Sequence, residues 1–248
     1  IRSTEPLYEI FPILRFPHHG AKYFDILGDR LALKPLPPEE ENALMKFKAL
    51  GLGPQCHPSE TKDPTLLRAL QDAVPLAERR IDSCNFATKV NGWDVIYGIT
   101  PAIKDTQVRA FTSRYGCGYH TAEEALYFHC RMGPDGNRLN GANKYILRFP
   151  AGQLPPVNAF WSLSLMDLAM IPIKNPINRF SVAGHTKGMV YGADGSLDIY
   201  IQAEQPPSGP SNWLPSGTGD FFITLRLYEP KDQAIKGTYI PPQLLLCT

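Results

Sequence analysis

The 248-residue chain carries 25 Lys and Arg against 24 Asp and Glu, which leaves no basic excess for a nucleic-acid backbone. Its longest basic cluster, Arg79–Arg80, is flanked by Glu78 and Asp82 and reads as a solvated helix face. An ordinary apolar content supports one large domain or two small ones, and no apolar run reaches the roughly 18 residues that a membrane span needs.

The chain opens on Ile1 rather than methionine, as expected of a processed or truncated protein. Its five cysteines (Cys56, Cys84, Cys117, Cys130 and Cys247) are too sparse for a disulfide framework and are expected to be mostly reduced. The 24 prolines are spread along the sequence and predict many fixed turns rather than a flexible linker.

Residues 1–125 read as an extended N-terminal segment followed by a mainly helical region. Pro6, Pro12 and Pro17 keep Arg2–Pro17 out of a helix. Helical spacing begins at Ala21–Leu33 and resumes after Pro37–Pro38, where Glu39, Glu40 and Glu41 suit the positive end of a helix dipole. Gly51 and Gly53 stop that helix. Asp63 caps another, whose apolar stripe is Leu66, Leu67, Leu70, Val74, Ala77 and Ile81; Pro75 is expected to kink or split it. Short helices are predicted at Ile103–Thr112 and, capped by Thr121, at Ala122–Leu126.

From residue 126 to 248 the period falls to two, which predicts an antiparallel β domain. Pro134-Asp135-Gly136-Asn137 marks a turn between Leu126–Arg131 and Tyr145–Phe149. In Ala159–Met166, Trp161, Leu163 and Leu165 share one face, and Phe160, Ser162 and Ser164 the other. Ala193-Asp194-Gly195-Ser196 reads as a hairpin turn joining Met189–Tyr191 to Leu197–Ile201. Phe221–Tyr228 alternates throughout and predicts a central strand. The fold class is therefore α+β: a helical N-terminal part, then an antiparallel β-sandwich or jelly-roll-like C-terminal part.

Several long runs in this region are distinctive: Tyr145-Ile-Leu-Arg-Phe-Pro-Ala-Gly-Gln-Leu-Pro-Pro-Val-Asn-Ala-Phe-Trp161, Asn175-Pro-Ile-Asn-Arg179, Asn212-Trp-Leu-Pro215 and Leu225-Arg-Leu-Tyr-Glu-Pro-Lys231. In order and spacing they resemble the family called domain of unknown function 1214, over about residues 126–242 and more loosely back to about residue 20. The resemblance implies the α plus β architecture with a C-terminal sandwich and carries no catalytic role. In larger proteins this domain follows a partner, domain of unknown function 1254, which is largely absent here. Tyr115–Thr121 is also shorter than in the family, before the acidic pair matched by Glu123 and Glu124. A site shared with a missing N-terminal partner domain would leave this chain with half of it.

No phosphate loop, dinucleotide fingerprint, His-Glu-x-x-His or nucleophile elbow is present. Cys117, His120, His129 and Cys130 form a metal-like cluster, with zinc as the ion such ligands would hold. Adjacent His129 and Cys130 would point to opposite faces of a strand, however, so no metal or other cofactor is predicted. The alternative is a polar-aromatic pocket in the β domain. Arg148, Arg179 and Arg226 would orient an anionic or carbonyl group, while Trp161, Trp213 and Tyr228 would stack on the ligand. Asn178 could contribute from a turn. The simpler readings put Trp161 in the core, Asn178 in a turn, and Arg226 on the solvent face or paired with an acid such as Asp198. The leading expectation is a module that binds or converts a small molecule. Its rivals are a metal-dependent enzyme built on the Cys/His cluster and a structural or interaction module, homo-oligomeric or left from a larger two-domain protein.

Overall fold

The computed structural model describes residues 20–83, 86–97, 103–116 and 119–247, so the expected extended segment Arg2–Pro17 lies outside them. The described residues divide into two compact units, one of residues 20–83 with 105–116, the other of 86–97, 103–104 and 119–247.

In the first unit, α1 (Lys22–Leu31) is followed by α2 (Pro38–Met45) and two 3-10 turns, Lys48–Leu50 and Pro58–Glu60. Pro38 opens α2 without an amide to leave unpaired, and Gly51 closes the first turn in the left-handed region (φ 70°). α3 (Pro64–Asp82) begins at Asp63, whose carboxylate accepts from the amides of Thr65 at 2.8 Å and Leu66 at 3.4 Å. Pro75 does not split α3: the helix runs unbroken through it, with Leu70 and Val74 of the apolar stripe buried in the turns before it. α4 (Thr106–Tyr115) is capped by Asp105 and starts three residues later than Ile103. Arg114 ties it to α3 through Glu78 at 2.9 Å.

The second unit is a sandwich of two open sheets. Its strands are β1 (Thr88–Val90), β2 (Trp93–Val95), β3 (Ala125–Cys130), β4 (Lys144–Phe149), β5 (Trp161–Asp167), β6 (Ser181–Ala183), β7 (Leu197–Gln202), β8 (Trp213–Pro215), β9 (Phe221–Tyr228) and β10 (Leu244–Cys247). A single-turn helix, α5 (Asp232–Ile235), separates β9 from β10. One sheet has six strands in the order β1-β2-β3-β9-β5-β6; the other has four, β10-β4-β7-β8. Period-two burial explains the pairing of the layers. Leu126, Phe128, Leu163, Ile223, Leu225 and Leu227 from the larger sheet form one cluster with Tyr145, Leu147, Phe149, Leu197 and Ile199 from the smaller.

Four features depart from the sequence reading. No helix forms at Ala122–Leu126; the Thr121 carbonyl accepts from Glu124 and Ala125, one turn is made, and β3 begins. Burial of Leu126, Phe128 and Cys130 against the core prevails over the local cap. The hairpin β1–β2 precedes residue 126, with Asn91 (φ 48°) and Gly92 (φ 85°) at its tip, and extends the larger sheet beside β3. The Asp194–Gly195 turn forms, but Met189–Tyr191 is not a strand: β7 pairs with β4 and β8 instead. Finally, β7 and β8 run parallel, so the smaller sheet is mixed.

Among the described residues, no helix is long and apolar enough to cross a membrane. Cys56, Cys130 and Cys247 carry free thiols; Cys84 and Cys117 lie outside the described residues.

Candidate functional site

The outer face of the smaller sheet is set by the strand positions that the core leaves over. Phe149 and Leu147 of β4 point inward, so Arg148 points out; Leu197 and Ile199 of β7 do the same for Asp198 and Tyr200. Arg148 and Asp198 oppose each other in register. The guanidinium Nε donates to Asp198 Oδ1 at 2.6 Å and Nη2 donates to Oδ2, a bidentate pair. That hydrogen bonding, followed by the charge of Asp198, raises the Arg148 pKa further.

Two loops rise around this pair. In the Gly192–Ser196 turn, Asp194 Oδ1 accepts from the Ser196 amide at 2.9 Å and from its hydroxyl at 2.7 Å, which holds the Asp194 carboxyl below its ordinary range. The loop leading into β8 is bolted at several points. Asn212, 7% exposed, accepts from the Val190 amide at 2.9 Å and donates to the carbonyls of Val190 and Asp198 at 2.6 and 2.9 Å. Arg179 Nη1 donates to the carbonyls of Ser211 and Trp213 at 3.0 and 2.9 Å, and to that of Pro210. The Trp213 indole donates to the Gln202 carbonyl at 2.9 Å.

Between the loops lies a cavity of about 400 Å³. Arg148, Asp194, Ser196, Asp198 and Asn212 line it together with Tyr191, Tyr200, Ser208 and Ser211; only Val190 and Gly192 of its lining lack a polar side chain. With Arg148 bound to Asp198, the remaining charge is that of the Asp194 carboxylate. The site thus offers acceptors and hydroxyls around two phenol rings, and no uncommitted cation.

The structure does not gather the expected aromatic-arginine set in one place. Arg148 lines the cavity, while Arg179 and Trp213 hold its wall from behind. Trp213 is 4% exposed and Trp161 4% exposed, 5.4 Å from the Phe149 ring in the core, so neither presents a face for stacking. Asn178 is an exposed turn residue with φ 50°, its amide bonded to the Asn175 carbonyl. Arg226 and Tyr228 occupy the outer face of the other sheet, beyond the core, and Asp198 is the partner of Arg148 rather than of Arg226. Sequence reasoning passed over Tyr191, Ser196, Ser208, Ser211 and Asn212. Their signal was the turn-rich composition between residues 189 and 213, which by itself shows only a loop.

His129 and Cys130 do point to opposite faces. Cys130 is 2% exposed in the core, where burial pushes its thiol up to about 11. His129 sits between two hydroxyls: Thr224 Oγ1 at 3.0 Å from Nδ1, and the Tyr119 hydroxyl at Nε2. His120 is spent on the Tyr127 hydroxyl at 2.6 Å, and Cys117 lies outside the described residues. Among the described residues, no three His, Cys, Asp or Glu side chains are grouped to hold a metal ion.

The first unit has a larger cavity of about 620 Å³, walled by Leu31, Leu36, Leu44, Met45 and Leu52, with Lys34, Glu41, Lys48 and Cys56 at its edge. It joins a smaller one of about 270 Å³ through Leu31, Leu44, Leu52 and Gly53. Such a surface buries apolar groups without selecting a functional group.

A model of the family described as a protein of unknown function (DUF1214) matches residues 124–232. No curated protein matches the chain. Among solved structures, the VPA0106 protein of Vibrio parahaemolyticus is similar over 100% of this chain and 58% of its own, with 20% identity and a TM-score of 0.59. The chain therefore spans somewhat more than half the length of that protein, and the likeness is one of fold. An uncharacterized protein from Burkholderia cenocepacia aligns over 84% of this chain and 48% of its own, at 14% identity and a TM-score of 0.33.

Proposed function

We propose, from the site itself, that the β unit binds a small, neutral, polyhydroxylated molecule, a saccharide or cyclitol, in the cavity over Arg148 and Asp198; the family whose model matches residues 124–232 is one of unknown function. The observation that carries this reading is the lining. A cavity of about 400 Å³ lies within the range of small-molecule sites, roughly 300–1,000 Å³. Its carboxylates and carbonyls accept from ligand hydroxyls, its serines donate and accept, and Tyr191 and Tyr200 offer ring faces to C–H surfaces. An anionic ligand is disfavoured, since Asp198 already satisfies Arg148 and Asp194 adds negative charge.

The pinning by Arg179, Asn212 and Trp213 keeps the walls in place before a ligand arrives, which lowers the ordering cost of binding. Calorimetric titration with a panel of neutral mono- and disaccharides tests the proposal. At least one sugar is expected to saturate, with its affinity falling tenfold or more in Tyr191→Ala and in Asp194→Asn. A panel with no saturable binder, or a sugar bound equally well by both variants, would refute the assignment.

A further inference from the structure

The outer face of the six-stranded sheet holds a second cluster that the cavity does not use. Arg226, half-buried near the C-terminal end of β9, lies in register between Tyr127 of β3 and Ser162 of β5. Its Nη1 donates to the Ser164 hydroxyl, and its guanidinium carbon stands 5.9 Å from the centroid of the Tyr127 ring. Ion pairs among the described residues engage Arg68, Arg109, Arg114, Arg131 and Arg148. No described carboxylate is within ion-pair distance of Arg226, and Nε and Nη2 have no described protein acceptor. Those two nitrogens are the edge with which arginine grips a carboxylate in bidentate fashion.

The surroundings favour a flat organic anion over a bare ion. Tyr228, two residues along the same strand face, stacks on Phe160 at 4.4 Å with 22° between the rings. Phe160 is 38% exposed and also meets the edge of His185 at 5.2 Å. Tyr127 forms the opposite side, its hydroxyl held by His120 at 2.6 Å and its ring 4.4 Å from that of Tyr119. The neighbouring His129 is closed by Tyr119 and Thr224. Glu124 acts on the Tyr127 hydroxyl electrostatically without pairing with Arg226.

We propose that this face is a second ligand site, for a small aromatic carboxylate: the Nε–Nη2 edge of Arg226 takes the carboxylate, and Tyr127 with the Phe160–Tyr228 pair takes the ring. It is independent of the cavity on the other sheet.

The test is calorimetric titration of the full chain with benzoate, and with acetate for comparison. Saturable benzoate binding is expected, about tenfold tighter than acetate. Arg226→Gln should weaken it tenfold or more. Arg226→Lys, which keeps the charge but loses the fork, should weaken it as well, whereas Arg68→Gln at an exposed site should not. The proposal is overturned by no saturable benzoate binding, by equal affinity for acetate and benzoate, or by benzoate binding that survives in Arg226→Gln. The acetate comparison uses the unaltered chain, so the proposal stays open to refutation even if an Arg226 variant does not fold.

Discussion

Arg179, Arg148 and Arg226 are the same residue type put to three uses. Arg179 gives Nη1 to three backbone carbonyls, and a charged donor of this kind is worth about 1.5–3 kcal/mol. Arg148 forms a bidentate pair but is 56% exposed, where such a pair contributes at most about 1 kcal/mol; its value lies in shaping the cavity. Arg226 keeps one edge of its fork open. Residue type alone could not separate these roles, because each depends on acceptors brought in from distant parts of the chain. His129 is the residue whose titration reports on the fold. Burial, followed by the charges of Arg131 and Arg226, holds its pKa down to about 3 from 6.5. The folded state therefore binds fewer protons than the unfolded state between those values. The stability His129 contributes is complete above pH 6.5 and is lost as pH falls toward 3, with a slope of up to about 1.4 kcal/mol per pH unit. Urea unfolding between pH 8 and pH 4 is expected to show that loss, with a shallower slope in His129→Gln; parallel curves for the two proteins would contradict it.

At the scale of elements, alternation was legible wherever one face of a strand is buried. Phe221–Tyr228 and Trp161–Asp167 lie next to each other in the larger sheet with the faces their sequences indicate. The short strands were not legible. Asn91-Gly92 is a strong hairpin signal, yet it joins strands of only three residues each, too few for a period to register. At Asp194–Gly195 the turn was readable but its partner was not, since β7 finds β4 and β8 across the sheet. Ala122–Leu126 had a local cap, and burial in the core overrode it. Loop contacts carry comparable weight. A Cβ on Gly141 would fall 1.9 Å from the Gly217 carbonyl oxygen, whereas one on Gly219 meets nothing within 4 Å. Gly141→Ala is expected to cost about 1–3 kcal/mol through overpacking, and Gly219→Ala no more than about 0.5 kcal/mol. Urea midpoints compare them directly, and equal midpoints would mean that the loop yields freely.

For the whole molecule, burial is distributed unevenly. β9 has ladder partners on both sides and a core face made of Phe221, Ile223, Leu225 and Leu227, while α2 has no buried residue. Local opening follows such differences. Amides of Leu225 and Leu227 are therefore expected to exchange at least about a hundredfold more slowly than those of α2. Hydrogen exchange read by mass spectrometry checks this, and comparable rates would imply that the units open together. Readable from the chain alone were the helical and β classes, the likeness of residues 124–232 to the DUF1214 family, the central strands and the opposed faces of His129 and Cys130. All of these rest on local periodicity or on order along the chain. Only the tertiary structure decided the parallel β7–β8 pair, the cavity built over Arg148 and Asp198, and the separation of Arg226 from that cavity by the full thickness of the sandwich. Those depend on which strand crosses to which sheet, a matter of long-range burial that no window of sequence contains.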